Sequence, residues 1–473
     1  MKGKSVVIAV GVLVYAAAAL FPAQYVAAAL YFVSIKTMPA SIDAGTFFAL
    51  WQQLSDEPAS RKKLQVSAAL AAFLFYVAPI FVVTALTRVT RSLHGDARFA
   101  HPSEVRRAGL QAEKGIIVGK YHGKYLVFGG QQFVLLAAPT RSGKGVGVVI
   151  PNLLNWPDSV VVLDIKLENY QRTSGFRAQH GQAVFLFNPF AEDFKTHRWN
   201  PLSTISRDPN FRVGDIQAIG AIFYPSNVGL SNSNETFFND QAQNLFMGVV
   251  LYLIETPELP CTMGEVLRQG SGNGQAIDKH LRSILAERTA GPRALSQTCV
   301  DALNRFLSNS ENTLASIKAS FEAPLLIFSN PIVDAATSGD DFDLRDLRRK
   351  RITIYLGIQP NRLDSAARLM NVFFAQLVNL NTDKLPEHDA GLQYQCLLIM
   401  DEFTSMGRIP ILARSVAYLA GYNLRLLPIV QSIEQIEDTY GKEAARNFIK
   451  NHDVKIIFPP DDIEEPFPSY VLF

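Results

Sequence analysis

Two things are scarce in this chain of 473 residues: charged side chains and cysteine. Charged residues make up 19% of the sequence and the net charge is only +2, so no global basic field advertises nucleic-acid binding. The three cysteines, Cys261, Cys299 and Cys396, are scattered and odd in number, as expected for reduced cytosolic thiols. The sequence also has no internal repeat and no low-complexity tract.

Charge is missing altogether from two long apolar stretches near the N-terminus, residues 5–35 and 64–87. Each exceeds the roughly 20 residues that cross a bilayer. A cleavable signal peptide is disfavoured, because the first stretch outruns the usual apolar region of about 7–15 residues and a second stretch follows. Pro22 and Pro79 are tolerable kinks in membrane helices. We therefore predict a two-helix transmembrane hairpin within residues 1–90, with spans at about 6–33 and 65–87.

A glycine-containing turn follows the apolar run Phe133–Ala137 and precedes a helical stretch over residues 146–154. Residues 137–147 read AAPTRSGKGVG. Backbone N–H groups in such a turn cradle phosphates, and the lysine reaches the outer ones. We predict nucleoside triphosphate binding by Thr140, Arg141, Ser142, Gly143, Lys144, Gly145 and Val146.

The turn departs from the strict pattern G-x-x-x-x-G-K-[ST] at two positions. Ala138 stands where the pattern has glycine, and Gly145 stands where it has a hydroxyl, so Gly145 offers no oxygen to magnesium. The alternative interpretation is a glycine-rich connection between strand and helix with an exposed lysine.

The hairpin brings both of its ends to one side of the membrane, and a nucleotide site needs cytosolic ATP. We therefore expect that side to be the cytoplasm. Basic residues flank the hairpin at its two ends, in agreement with the positive-inside rule: Lys2, Lys4, Arg88, Arg91 and Arg98. The basic residues at 61–63, in the external loop, argue weakly against this orientation.

Strand and helix signals alternate in the remaining chain, which predicts a parallel sheet covered on both faces. Further strands are predicted at residues 159–165, 183–187, 351–358, 396–400 and 426–430. Between residues 200 and 340 helical periodicity dominates. Helical stripes are formed by Phe238, Ala242, Leu245, Val249 and Leu253, by Leu314, Ile317 and Phe321, and by Leu369, Phe373, Leu377 and Leu380. The fold class is α/β: a nucleotide domain in two parts, residues 91–199 and 341–473, interrupted by an all-α insertion over 200–340.

Two adjacent carboxylates, Asp401 and Glu402, follow the buried strand CLLIM. At the carboxyl end of a strand they are the expected partners of a phosphate loop. Asp401 would hold magnesium through water, and Glu402 would polarise the attacking water as general base. Gln431 ends the next predicted strand, where it could sense the terminal phosphate. The simpler alternative is that acids mark strand ends because loops are solvated.

Several segments together resemble the TraG-like coupling proteins of type IV secretion and conjugation systems. They are LHGDARFAHPSEVRRAGL, AAPTRSGKGVGVVIPNLL, VVLDIKLENY, FNPF…RWNPLS, FFNDQAQNLFMGVVLYL, MDEFTSMGRIP and AGYNLRLLPIVQS, in this order up to about Pro460. The resemblance implies a hexameric, RecA-like P-loop ATPase anchored in the bacterial inner membrane, with ATP and magnesium as cofactors. It implies that the protein receives a relaxase with attached single-stranded DNA, or effector proteins, and passes them to the secretion channel. The helical domain is then expected to contact substrate or its carrier proteins.

The resemblance assigns roles to single residues. Lys144 matches the Walker A lysine, Asp401 and Glu402 match the Walker B pair, and Gln431 matches a sensor-like glutamine. Gly145 resembles the residue that this subgroup uses in place of Ser or Thr, so magnesium would rest on Asp401, phosphates and water. Asp164 matches an acidic motif on a second strand, and Leu167 replaces the glycine expected in the turn that follows.

Two features of the second half of the chain stay open. A ring ATPase needs an arginine from the neighbouring subunit, and Arg408, Arg414 and Arg425 all follow the Walker B strand. The sequence does not choose among them. The last 13 residues, DDIEEPFPSYVLF, do not resemble the family. A natural short member is one alternative, but we expect a truncated or frameshifted product with an unpaired sheet edge near residues 455–458.

Three functions fit the sequence. The first is an ATP-driven coupling protein, and the second is a double-stranded DNA translocase of the division-motor type, against which the long helical insertion and the two-span anchor count. The third is a membrane adaptor whose ATPase is weak. DNA and protein cargo are not distinguished by any motif in the insertion.

Overall fold

The computed structural model describes residues 2–86, 99–225, 233–458 and 471–472. The chain separates into two compact units, Met1–Phe99 and Ala100–Phe473. The basic residues Arg88, Arg91 and Arg98 lie outside the described residues, as does most of the sequence after Pro460. The finer domain bounds given above stay predictions.

Helices make up the first unit. They are α1 (Lys2–Ser34), α2 (Thr46–Leu54), α3 (Pro58–Ala72), a π-helical turn (Phe73–Val77) and α4 (Ala78–Leu86). Two segments, Val14–Ser34 and Pro58–Thr84, are long and apolar enough to cross a bilayer, with only 22% and 11% of their most apolar windows buried. Such exposure is unlike that of a core helix in a soluble protein. The second helix begins earlier than the predicted 65, because Pro58 suits a first helical turn.

Two tyrosines connect the helices of this unit in a reciprocal manner. The Tyr15 hydroxyl donates to the carbonyl oxygen of Phe75 at 2.9 Å, and the Tyr76 hydroxyl donates to that of Ala16 at 3.2 Å. Pro79 has no N–H for the Phe75 carbonyl four residues before it. In an apolar environment this carbonyl needs another donor, which Tyr15 supplies. We call this pair of hydrogen bonds the tyrosine clasp.

Both π-helical turns of the described chain stand just before a proline. Phe73–Val77 precedes Pro79, and Gly145–Val149 precedes Pro151. In each, an N–H donates five residues back: Ala78 to Phe73, and Ile150 to Gly145. Because proline leaves the carbonyl four residues earlier without its usual donor, the turn can widen by one residue there.

In the described part of the second unit, a mixed sheet of eight strands has the spatial order β10-β9-β3-β8-β7-β4-β6-β5. Its members are β3 (Phe133–Ala137), β4 (Ser159–Asp164), β5 (Ala183–Phe187), β6 (Ile352–Gly357), β7 (Cys396–Met400), β8 (Leu424–Val430), β9 (His452–Ile457) and β10 (Val471–Leu472). All neighbours are parallel except β10, which pairs antiparallel with Lys455 and Ile456 of β9. The edge expected to be unpaired near 455–458 therefore has a short partner in this structure.

Strand residues alternate between two hydrophobic clusters, one on each face of the sheet. Leu135 and Leu163 belong to one cluster, while Leu136 and Val162 belong to the other. The helices that flank the sheet are α5 (Pro102–Arg107), α6 (Ile150–Asn155), α7 (Glu168–Gln179), α15 (Leu363–Asn381), α16 (Pro410–Ser415), α17 (Glu434–Tyr440) and α18 (Lys442–Lys450). This is the α/β arrangement covered on both faces that the alternating pattern predicts.

An all-helical insertion separates β5 from β6, although these strands are neighbours in the sheet. It contains α8 (Arg212–Phe223), α9 (Ser233–Ile254), α10 (Met263–Gly270), α11 (Ile277–Glu287), α12 (Gln297–Leu307), α13 (Glu311–Glu322) and α14 (Pro331–Ala336). The predicted stripe residues Leu245 and Val249 are buried in α9, and Ile317 and Phe321 are buried in α13.

One element of the second unit was not expected from the sequence. Strands β1 (Ile116–Tyr121) and β2 (Lys124–Phe128) form a separate antiparallel hairpin. Its two turn residues, His122 and Gly123, both have positive φ, at 48° and 81°. This is the conformation that a two-residue hairpin turn prefers, so the His-Gly pair was the available signal.

Candidate functional site

The carboxyl ends of three adjacent strands form the site. In the sheet, β8 lies between β3 and β7, with Ala137 opposite Val430 and Met400 opposite Pro428. The residues that follow these strands therefore emerge side by side. This order places Gln431 between the glycine-containing turn after β3 and the carboxylates after β7.

The turn after β3 is held at its start by the Ala138 N–H, which donates to the Val430 carbonyl at 2.9 Å. The Ser142 hydroxyl is occupied by the carbonyl of Pro139, at 2.7 Å. Gly143 has φ of +83°, which favours glycine, and Arg141 has φ of +60°. The seven residues predicted to bind nucleotide, 140–146, all lie on this turn and its exit, and their role stays a prediction.

Lys144 contacts both carboxylates that follow β7. Its Nζ atom lies 2.5 Å from Oε1 of Glu402 and 3.5 Å from Oδ1 of Asp401. The lysine side chain is 13% exposed and the two carboxylates about a quarter, so water screens these pairs only in part. Lys144 thus forms one charged group with two carboxylates that lie 257 and 258 positions further along the chain.

Gln431 contacts the same cluster from the strand in between. Its Nε2 atom donates to Oε2 of Glu402 at 3.1 Å. Both carboxylate oxygens of Glu402 are therefore occupied, one by the ammonium group of Lys144 and the other by the Gln431 amide. The structure brings together the four residues that the sequence proposes as catalytic: Lys144, Asp401, Glu402 and Gln431.

The pKa values of the two carboxylates are shifted in opposite directions. Burial raises the pKa of Asp401, and Lys144 opposes this only in part. Burial also acts to raise the pKa of Glu402, but the hydrogen bonds from Lys144 and Gln431 outweigh it, and that pKa lies below its ordinary value. Glu402 is therefore ionised at neutral pH, as a base must be.

The backbone of Glu402 is left-handed, with φ of +53°. Such a conformation costs a non-glycine residue about 1 kcal/mol or more, so its surroundings must impose it. The next side chain, Phe403, is buried and stacks on Tyr440 and Phe448 with ring centroids 5.5 and 5.2 Å apart. The Ser405 N–H donates to the Glu402 carbonyl at 2.8 Å.

Asp164 ends β4, beside β7, and the structure gives it local partners. Its carboxylate accepts hydrogen bonds from the Tyr170 N–H at 2.7 Å and from the Asn169 side chain at 3.3 Å. Burial raises its pKa to about 6, with hydrogen bonds opposing and Asp401 adding to the rise. Leu167 in this turn has φ of +57°, a conformation that glycine adopts more readily. Asp164 thus closes the turn after β4, and a role towards nucleotide stays a prediction.

The side chains at this site fit a magnesium ion that is held mainly by the phosphates of a bound nucleotide. Asp401 offers a carboxylate beside the turn, 3.5 Å from the Nζ atom of Lys144, and Gly145 provides no hydroxyl. Within residues 2–86, 99–225, 233–458 and 471–472, no group of three His, Cys, Asp or Glu side chains forms a ready-made metal site. Magnesium is commonly bound through one or two carboxylates together with substrate phosphates, and this arrangement suits such binding.

The structure separates the three candidate arginines. Arg425 is 2% exposed near the amino end of β8, with its guanidinium over the ring of Trp156 at 5.9 Å. It cannot reach a neighbouring subunit, so Arg425 is wrong as a candidate for the intersubunit arginine. Arg408 and Arg414 are both exposed, and the choice between them stays open.

Comparison with known proteins adds independent findings. Residues 98–467 match the family model described as Type IV secretory system Conjugative DNA transfer. The VirD4 protein of Rhizobium rhizogenes is 33% identical over 393 residues, which cover 80% of this chain and 55% of that protein. A conjugal transfer protein TraG of Escherichia coli is 29% identical, covering 79% of this chain and 63% of TraG. The chain thus spans little more than half the length of the relatives it matches.

Solved structures share the fold. The bacterial conjugative coupling protein TrwBdeltaN70 aligns with a TM-score of 0.54 and 15% identity, covering 78% of this chain and 80% of that one. TrwB in complex with the ATP analogue ADPNP aligns with a TM-score of 0.52, and so does TrwB in complex with ADP and Mg²⁺. At this identity the likeness shows a common RecA-like architecture.

Proposed function

Because the chain belongs to the Type IV secretory system Conjugative DNA transfer family, we propose that it is a membrane-anchored ATPase of the coupling-protein type. Its task would be to recruit substrate to a type IV secretion or conjugation channel and to drive the transfer with ATP. One contact carries this proposal: the Nζ atom of Lys144 at 2.5 Å from Glu402, at the mouth of the phosphate-loop turn. ATP and magnesium are the proposed cofactors, as in the TrwB complexes with ADPNP and with ADP and Mg²⁺.

The proposed reaction is attack of water on the terminal phosphate, with Glu402 as general base. In the present arrangement Lys144 neutralises Glu402. Phosphates that enter the turn compete for the ammonium group, because they carry more negative charge than one carboxylate. When the Lys144 ammonium group binds phosphate instead of Glu402, one oxygen of Glu402 is free to accept a proton from water. Gln431 keeps the other oxygen in place.

The magnesium ion would be held by Asp401 and by the phosphates, and when bound it neutralises charge that develops on the phosphoryl oxygens. Lys144 stabilises the same charge from the turn after β3. The turn residues 140–146 bind and orient the phosphates through their N–H groups.

Membrane anchoring rests on the two apolar helices of the first unit. We place the second unit in the cytoplasm of the bacterial cell, because it needs ATP and because Arg88, Arg91 and Arg98 follow the second span. The anchor would then lie in the inner membrane. A hexameric ring is the proposed assembly, with Arg408 or Arg414 as the arginine supplied to the neighbouring site.

The proposed substrates are a relaxase with its attached single-stranded DNA, or effector proteins. The family description, conjugative DNA transfer, supports the first. The all-helical insertion between β5 and β6 is the surface proposed to contact the substrate or its carrier proteins, since it stands apart from the phosphate site along the chain.

A turnover assay on the full chain in detergent or nanodiscs tests this function. Lys144→Ala is expected to reduce ATP hydrolysis at least about a hundredfold, since both phosphate binding and charge stabilisation are lost. Lys195→Ala is the matched control, because Lys195 is 84% exposed and pairs with Asp193, which is itself 61% exposed. If wild type and Lys144→Ala hydrolyse ATP equally slowly, the protein is an adaptor. Turnover that scales with the length of duplex DNA, without secretion partners, would indicate the double-stranded DNA translocase.

A further inference from the structure

A single amide oxygen joins the two loops that carry Glu402 and Gln431. Oε1 of Gln435 accepts a hydrogen bond from the Gln431 N–H at 3.0 Å. The same oxygen accepts a second hydrogen bond from the Thr404 hydroxyl at 3.3 Å. Thr404 is two residues after Glu402, so Gln435 bridges the loop after β7 to the loop after β8.

This bridge closes a ring of contacts around the carboxylate. Glu402 is linked to Gln431 by the side-chain hydrogen bond of 3.1 Å, and Gln431 is linked through Gln435 back to Thr404. The separation between the two loops is therefore fixed at two points. One point is at the carboxylate itself, and the other lies behind it.

Glu402 needs such support because of its own backbone. Its left-handed φ of +53° is unfavourable, and its side chain is about a quarter exposed rather than packed. If the carboxylate relaxed, the distance to the reacting water would change, and displacements of about 1 Å cost large factors in rate.

Gln435 belongs to a helix that is anchored by buried side chains. It lies in the first turn of α17, whose Ile436 and Tyr440 are buried. The Tyr440 ring stacks on Phe403, and its hydroxyl accepts a hydrogen bond from the Ile409 N–H at 3.1 Å. Helix α17 is thus packed against the loop that it positions.

We propose that Gln435 is a positioning residue for ATP hydrolysis, which acts by holding Glu402 and Gln431 in one geometry. The proposal rests on the proposed function, since it presupposes turnover at this site. The Gln435 oxygen bonds to the loops that carry Glu402 and Gln431, whereas Lys144 bonds to Glu402, so we expect the effect of Gln435 to fall on the chemical step rather than on nucleotide binding.

Three substitutions in the full chain test it. Gln435→Met removes the acceptor with little change of volume, Gln435→Glu keeps an acceptor oxygen, and Thr404→Val removes one of the two donors. We expect Gln435→Met to lower kcat about tenfold and Thr404→Val about threefold, with KM for ATP and its binding constant changed less than about twofold. Gln435→Glu should retain kcat within about threefold of wild type.

The double variant distinguishes positioning from general stability. If the Thr404 hydroxyl acts through its hydrogen bond to Gln435, Thr404→Val with Gln435→Met should be no slower than Gln435→Met alone. Thermal melting of each variant accompanies the kinetics. An unchanged kcat in Gln435→Met, or equal losses in Gln435→Met and Gln435→Glu that follow the melting temperature, would overturn the proposal. A wild-type chain without turnover would overturn the proposed function first, so the two failures are distinct.

Discussion

The Nζ atom of Lys144 and the Oε1 atom of Glu402 lie 2.5 Å apart, although 258 positions separate them in sequence. This pair joins the turn after β3 to the loop after β7 across the intervening strand β8. Both groups are charged and largely shielded from water, so neither is free while they are paired. Under the proposed function, nucleotide binding and release of the general base are therefore one event.

Glu402→Gln tests this coupling most directly. The variant loses the base and the ion pair with Lys144, so turnover should fall by about 10²–10⁴-fold. ATP affinity should be unchanged or tighter, since Lys144 no longer has to leave a carboxylate. Phosphate release and equilibrium binding of a fluorescent ATP analogue measure the two quantities separately. Equal loss of binding and turnover would mean that Glu402 is structural.

Gln431→Leu is expected to shift the pH dependence of hydrolysis. In the wild type, hydrogen bonds from Lys144 and Gln431 lower the pKa of Glu402 against the effect of burial. Without the Gln431 amide that pKa rises, so the carboxylate is protonated at a higher pH. The acid limb of kcat/KM against pH should then move to higher pH in the variant. An acid limb that stays in place would show that Gln431 does not act on Glu402.

We expect the folded protein to lose stability in mild acid because His452 is buried. It is fully buried between Phe133 and Phe448, and burial lowers its pKa to about 4. From about pH 6.5 downwards the unfolded chain takes up a proton that the folded chain refuses, which costs about 2 kcal/mol at pH 5. Unfolding of wild type and His452→Asn should be compared at pH 7.5 and pH 5.

In that comparison Asn keeps a donor for the Phe448 carbonyl but does not titrate. Asp164 acts in the opposite direction, since its raised pKa of about 6 makes stability fall as pH rises from about 4 to about 6. It contributes equally to both proteins, so the difference between them isolates His452. Parallel pH profiles would contradict the prediction.

The tyrosine clasp should contribute measurably to the stability of the first unit. Tyr15→Phe removes the donor to the Phe75 carbonyl, and hydrogen bonds between membrane helices are worth about 0.6 kcal/mol on average. Titration of the full chain with SDS should show earlier unfolding of Tyr15→Phe than of wild type. Tyr25→Phe is the control, since the Tyr25 side chain is about half exposed. The same midpoint for both variants would argue against the clasp.

Local patterns in the sequence predict strands β3 to β8 and the four central site residues because each of them has a local signature. Lys144 follows glycine in a turn after an apolar run, and Glu402 follows the apolar strand β7. Strands β3, β5 and β7 have the predicted bounds, whereas β4, β6 and β8 differ from the predicted ones by one or two residues at their ends. The clearest case is β8, which begins at Leu424 although the apolar pattern begins at Leu426. The pattern misses this start because Arg425 is charged and yet buried inside the strand.

Tertiary relationships were beyond those patterns. The order β3-β8-β7 is not written in any one segment, and it alone explains why Gln431 reaches Glu402. Gln435 has no signature of its own, since its partner Thr404 is 31 positions away and both are ordinary polar residues. The left-handed φ of Glu402 is likewise imposed by contacts of Phe403 and Ser405 rather than by residue type.

The π-helical turns before Pro79 and Pro151 give two helices a defined site at which their length can change by one residue. Deleting one residue within Gly145–Val149 would convert the wide turn to an ordinary one, because the wide turn holds one residue more than a regular helical turn. Helix α6 would then keep the side that it presents to the sheet, since the surplus residue is absorbed within the turn. The same deletion inside a regular helix would rotate everything beyond it by about 100°.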